Sequence, residues 1–324
     1  MGFFKSFFGV EDEASKEKEP SKNKETDFET LKYDGVRARK MGELTYAIRC
    51  FCEALVLKED LETTSYLAET YLQVNEPENA FPLLQVLVGR QPENITLLLT
   101  LSQTARFLEK WDTVLEMTQK VLAVEEKNTI AHYLQGIAYH AMNNDIAAIA
   151  LLTQTLMQDP DFEQAYLSRA RVLYGMGEYV EAEKDIDYLI GKDPSEEVLL
   201  LQGDIKKALA DPEAAIAAYR QARDLNPFSH DAILKEGGVY VEIHQLDKAL
   251  RLYDEAIDLQ PDFSEAYKER GKVKNLLNDK NGAFDDLKRS IELAPDSGKD
   301  LDGDYTNIEN RMEQMYKERN PYGF

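Results

Sequence analysis

Apolar residues along this chain recur at helical spacing in short blocks. The blocks come in pairs, separated by turn residues such as Gly175–Met176–Gly177 and Asn143–Asn144–Asp145. Spacing of three and four residues gathers the apolar positions on one face of an α-helix. Two such helices joined by a short turn make an antiparallel hairpin. The pattern therefore predicts a succession of helical hairpins.

The hairpins keep time. Prolines stand at positions 160, 194, 227, 261 and 295, at intervals of 34, 33, 34 and 34, and stepping back from 160 reaches Glu126, Pro92 and Glu59. A period near 34 residues means a repeat array. Twenty-four residues before each marker stand Gly35, Ala68, Ser102, Gly136, Ala170, Gly203, Gly237 and Gly271, all small. Twelve residues before stand Ala47, Ala80, Val114, Ala148, Ala182, Ala215, Ala249 and Ala283. Eight residues before stand Phe51, Leu84, Thr118, Leu152, Ile186, Tyr219, Tyr253 and Leu287, nearly all large. Small columns let helix backbones approach, and the large column fills the space beside them. Proline then closes the second helix of each pair.

The stretches YLQGIAYHAMNNDIAAIALLTQTLMQDP from residue 133 and EGGVYVEIHQLDKALRLYDEAIDLQP from residue 236 carry these columns in full. They resemble the tetratricopeptide repeat (TPR) family. The resemblance covers roughly residues 28–297 and implies an all-α, right-handed superhelical solenoid of about eight helix-turn-helix repeats. The first three repeats depart most, with Glu59 and Glu126 in place of proline, Pro77 at the start of a second helix and Pro82 deeper inside it. The expected organisation is a Phe-rich amphipathic segment (1–10), a charged disordered tether (11–27), the repeat array (28–297), and an acidic loop, capping helix and tail (298–324). Tyr305, Ile308, Met312 and Met315 recur at helical spacing in that last segment. A solenoid end needs such a cap.

Charge narrows the function. With 60 acidic and 38 basic residues the net charge is −22, which opposes nucleic acid as the main partner, because phosphate binding needs a basic footprint. Hydrophobic residues at 43% support a buried core. Cys50 and Cys52, two apart, suit neither a disulfide nor a metal site; reduced thiols point to the cytoplasm. No apolar run approaches the length of a membrane span, and the first residues lack a signal-peptide pattern.

Catalytic motifs for phosphate, dinucleotide, zinc-protease and serine-hydrolase chemistry are missing, so no catalytic residue, cofactor or metal is expected. The four histidines lack ligand spacing. Asp296, Asp300, Asp302 and Asp304 fail the EF-hand pattern, since the twelfth position from Asp300 is Arg311.

In the TPR family the first helix of each repeat lines an inner groove where extended peptides bind. Carried onto this chain, the groove positions are Val36 and Arg39, Glu69 and Leu72, Gln103 and Arg106, Ile137 and His140, Arg171 and Tyr174, Asp204 and Lys207, Gly238 and Val241, Lys272 and Asn275. Five are basic and two acidic, against the sign of the whole chain. The expected partner-binding residues are Gln103, Arg106, Phe107, Tyr133, His140, Arg171, Tyr174 and Lys207, since arginine and tyrosine carry much interface energy. The family's carboxylate clamp is not expected: Lys32 matches its first lysine, but Val36 stands where asparagine belongs and no later triplet completes the set.

The opening MGFFKSFFG puts Phe3, Phe4, Phe7 and Phe8 on one helical face. Four aromatics held in water would promote aggregation, so a burial site is expected. A docking peptide ranks first among the readings, ahead of a peripheral membrane anchor through residues 1–10, for which Gly2 and Ser6 meet the myristoylation pattern. The expected function is a non-catalytic protein–protein interaction scaffold or adaptor that binds a peptide or protein in the groove. The alternative is an accessory or regulatory subunit tethered to a membrane-associated complex by the Phe-rich segment. Self-association through the end repeats stays open.

Overall fold

A computed structural model describes residues 21–192 and 194–295. Phe3, Phe4, Phe7 and Phe8, the acidic loop and the expected capping helix lie outside the described residues. The chain divides into two compact units between Met176 and Gly177.

The first unit is built from α1 (Ser21–Lys40), α2 (Leu44–Leu57), α3 (Leu61–Gln73), α4 (Pro77–Arg90), α5 (Ile95–Phe107), α6 (Trp111–Val124), α7 (Thr129–Ala141), α8 (Asp145–Gln158) and α9 (Glu163–Gly175). The second contains α10 (Tyr179–Ile190), α11 (Glu196–Ala208), α12 (Pro212–Leu225), α13 (His230–Glu242), α14 (Leu246–Leu259), α15 (Ser264–Leu276) and α16 (Lys280–Leu293). All regular structure among the described residues is helical, in pairs of 12 to 14 residues apart from the longer α1.

The three sequence columns meet inside the hairpins of each unit. The alanine-type column is buried throughout, from Ala47 to Ala283. Each glycine of the small column faces its large partner one helix away: Gly35 faces Phe51, Gly136 faces Leu152, Gly203 faces Tyr219 and Gly237 faces Tyr253. In the third hairpin Ser102 and Thr118 occupy these columns instead. Both hydroxyls bond to carbonyls of their own helices, Ser102 to Leu98 at 2.8 Å and Thr118 to Val114 at 2.7 Å, so they enter the core without an unpaired polar group.

A fourth column joins the three that the sequence displays. Seventeen residues before each marker the backbone takes a left-handed conformation, at Gly42, Asn75, Glu109, Asn143, Gly177, Ala210, His244 and Asn278. This residue closes the first helix. At Asn75, for example, its amide bonds to Leu72 while the next amide, of Glu76, reaches back to Tyr71 at 2.9 Å. The paired bonds form a Schellman cap, and its left-handed position favours Gly or Asn. Ala210 sits there at φ 59°, where a Cβ costs about 1–2 kcal/mol. Ala210→Gly is therefore expected to stabilise the second unit by about 0.5–1 kcal/mol after the entropy of the unfolded glycine is counted. Urea unfolding followed by circular dichroism measures it, and an unchanged or lower midpoint refutes it.

One boundary differs from expectation. Composition extends the charged tether to residue 27, yet α1 begins at Ser21. Its first turns are held because Phe28 is buried and Lys58, just past the end of α2, reaches over, 2.6 Å from Glu25 and 5.0 Å from the Phe28 ring. Pro77 opens α4 at its first turn, and Pro82 leaves α4 continuous.

First helices of neighbouring hairpins touch one another: α1 with α3, α5 with α7 and α7 with α9 in the first unit, α11 with α13 and α13 with α15 in the second. Among the described residues no two second helices do so. The first helices therefore form the crowded, inner face of each unit.

Candidate functional site

The inner face of the first unit gathers most of the predicted residues. Gln103, Arg106 and Phe107 project from the last turns of α5, His140 from the end of α7, and Arg171 and Tyr174 from α9. Gln103, Phe107, His140 and Arg171 are exposed or nearly so; Arg106, Tyr133, Ile137 and Tyr174 are half-buried. Lys207 belongs to the second unit.

Electrostatics redistribute the basic column. Arg39 lies 2.8 Å from Glu69, Lys207 2.6 Å from Glu242 and Lys272 2.6 Å from Glu269. Each of these bases has an acid supplied by this chain. Arg106 differs. It forms no ion pair among the described residues, its Nε is buried without an acceptor, and its guanidinium rests 4.8 Å from the ring centre of Phe107, a side chain 68% exposed. An arginine stacked on an exposed aromatic ring, with donor capacity left over, suits a carboxylate next to an apolar group.

The neighbouring aromatics are partly committed to structure. Tyr133 packs its ring 5.1 Å from that of Phe162, and its hydroxyl lies 3.5 Å from Ser168 Oγ, tying α7 to α9. The His140 Nδ1 lies 2.7 Å from an Asp145 oxygen across the turn to α8. Lys32 is held by Asp60 at 3.0 Å and Glu62 at 2.6 Å. Burial acts to lower its pKa, but the hydrogen bonds to Glu62 and Asp60 override it and keep the ammonium above its ordinary value. Lys32 is thus engaged within the chain, in keeping with the broken clamp pattern.

A hollow of about 440 Å³ opens at the edge of the first unit, lined by Phe81, Glu109, Lys110, Trp111, Asp112 and Met142 among others. It lies at the turns between first and second helices, outside the columns that the sequence marks as groove, and nothing in those columns points to it. Among the described residues no group of histidine, cysteine or acidic side chains is arranged to hold a metal. Cys50 and Cys52 are free thiols, one buried and one half-buried. No helix of the described residues is long and apolar enough to cross a membrane.

The tetratricopeptide repeat family model matches residues 200–261 and 234–298. No curated protein matches the chain. Solved structures do. A tetratricopeptide repeat protein from Parabacteroides merdae is 17% identical, covers 72% of this chain and 93% of its own, and superposes with a TM-score of 0.55. PilW, described as a widely conserved type IV pilus biogenesis factor, is 19% identical over 63% of this chain and 96% of its own, with a TM-score of 0.54. PilF of Pseudomonas aeruginosa is 17% identical over 68% and 99%, with a TM-score of 0.51. At these identities the likeness speaks to the fold alone.

Proposed function

We propose that this chain, a tetratricopeptide repeat protein, is a non-catalytic interaction scaffold or adaptor whose working surface is the inner face of α5, α7 and α9. The observation that carries the reading is Arg106, without an ion pair among the described residues and stacked on the exposed Phe107. Leu99 and Ile137, both half-buried on α5 and α7, add apolar surface to the same face. The ligand this suits is an extended peptide with an acidic residue beside an aromatic or aliphatic one. The free thiols of Cys50 and Cys52 suit a reducing compartment, and we place the protein in the cytoplasm on that ground.

The test is affinity capture followed by titration of the recovered partner. Arg106→Glu and Phe107→Ala are each expected to weaken binding at least about tenfold, the scale of an interface hot spot. Phe107 is exposed, and Arg106, though half-buried, forms no ion pair among the described residues, so the helical content and melting temperature should stay near those of the parent. Binding that survives both substitutions, with the fold intact, removes the groove from consideration. Binding lost only on deletion of residues 1–10 makes the Phe-rich segment the working end instead.

A further inference from the structure

The Phe-rich segment needs a burial site, and the structure offers candidate faces that can be compared. The outward face of the first hairpin is one. Inner hairpins bury Thr70, Thr104, Ala138, Val172, Ile205, Val239 and Val273 at one position of the first helix, and Leu67 and Leu101 at a position three residues earlier. In the first hairpin those positions hold exposed Arg37 and half-buried Asp34. A face bearing these charges makes a poor seat for phenyl rings.

The hollow beside Trp111 is better matched. Phe81, Trp111 and Met142 give it aromatic and thioether walls, and its volume of about 440 Å³ falls in the range of preformed ligand sites. Lys110 is folded over the Phe81 ring, 5.0 Å from its centre. Glu109 and Asp112 form no ion pair among the described residues and leave the rim acidic. Residues 1–10 pair four phenylalanines with a single lysine, Lys5, so the apolar character and the charge of the segment both complement the hollow.

Reach permits the contact. Twelve residues separate Phe8 from Ser21, and the thirteen steps between them span up to about 43 Å when extended. The path runs the length of α1, about 30 Å, because its N-terminus lies at the opposite edge from the turns. It then crosses two repeats at roughly 10 Å each. The direct distance is on the order of 36 Å, within that span. A tether of this kind holds its end at an effective concentration of about millimolar, so weak intrinsic affinity is enough. We infer that residues 3–8 dock within the same chain into the Trp111 hollow, with Lys5 against the rim carboxylates of Glu109 and Asp112. This inference does not rest on the groove reading.

Trp111 is the only tryptophan in the chain and reports directly on the hollow. Tryptophan emission and acrylamide quenching would be compared for the full chain, a chain lacking residues 1–10, and a chain with Phe3, Phe4, Phe7 and Phe8 changed to serine. Both altered chains are expected to show red-shifted emission and steeper quenching. Added peptide of sequence MGFFKSFFGV is expected to reverse the shift in the deleted chain and to leave the full chain unchanged. Asp112→Lys in the full chain is expected to steepen quenching, because it repels Lys5. Emission and quenching identical in the full and deleted chains overturn the inference. A difference that vanishes on dilution overturns docking within one chain, since it would place the segment on a second copy.

Discussion

Gly203→Ala is expected to destabilise the second unit by about 3 kcal/mol, at the upper end of overpacking effects. A Cβ at Gly203 would fall inside the van der Waals radius of the Tyr219 ring. That ring is fully buried, and its hydroxyl donates to an Asp204 carboxylate oxygen at 2.7 Å. Moving the ring away therefore breaks a hydrogen bond as well as the packing. The same fold holds a solution at another hairpin, where Ala68 stands in register with Leu84. The double substitution Gly203→Ala/Tyr219→Leu is accordingly expected to regain much of the loss. Repeats in such arrays interact mainly with their neighbours, so amide exchange should accelerate in α11, α12 and α13 and little in α5. A single substitution that leaves the unfolding midpoint in place, or a double one no better than the single, defeats the argument.

Arg270→Leu is expected to cost about 2–4 kcal/mol, because it strands a buried carboxylate. Arg270 holds Asp286 through two hydrogen bonds, Nε at 2.8 Å and an Nη at 2.6 Å, and also reaches Asp254 at 2.7 Å. Lys274, 2.8 Å from Asp286, remains and keeps the loss below that of a fully orphaned charge. Burial acts to raise the Asp286 pKa, yet the hydrogen bonds from Arg270 and Lys274 more than offset it and hold the group below its ordinary value. A depressed carboxylate contributes stability that is present above its unfolded pKa, near 3.9, and is lost as pH falls through the folded pKa. Arg270→Leu should therefore raise the Asp286 pKa and remove part of the acid-sensitive stability. Parallel urea titrations at about pH 7 and about pH 3.5, on either side of the unfolded carboxylate pKa, measure it. The penalty is expected to shrink at the lower pH. An equal penalty at both would show that the loss comes from packing of the arginine stem.

Glu236 on α13 provides a contrast within the same unit. Burial raises its pKa, and Arg223, at 3.2 Å, and Arg220, at 3.5 Å, only partly counter it. For a carboxylate with a raised folded pKa the sign reverses. Stability falls as pH rises from the unfolded pKa to the folded one. Asp286 and Glu236 thus pull the pH profile in opposite directions.

Periodicity alone settled the architecture. Helical spacing within blocks and a 34-residue interval between them are local and repetitive, so each repeat reports the same physics several times. The small, alanine and large columns can be paired from the sequence because they interlock when two helices pack in one register. The left-handed column was also legible in Gly42, Asn75, Asn143, Gly177 and Asn278, but Glu109, Ala210 and His244 masked it.

Position in three dimensions decided what the side chains do. Sequence order places Arg39, Lys207 and Lys272 in one basic column; Lys272 finds its acid three residues earlier on its own helix, but only folding brings Glu69 to Arg39 and Glu242 to Lys207. The same holds for Arg106, whose lack of an ion pair among the described residues is a property of its surroundings. The Trp111 hollow is assembled from α4, the α5–α6 turn and the end of α7, segments roughly one repeat apart. Repeat period reads contacts within a hairpin. Charge pairing and hollows between hairpins depend on the particular residues that successive repeats bring side by side, and those vary from one repeat to the next.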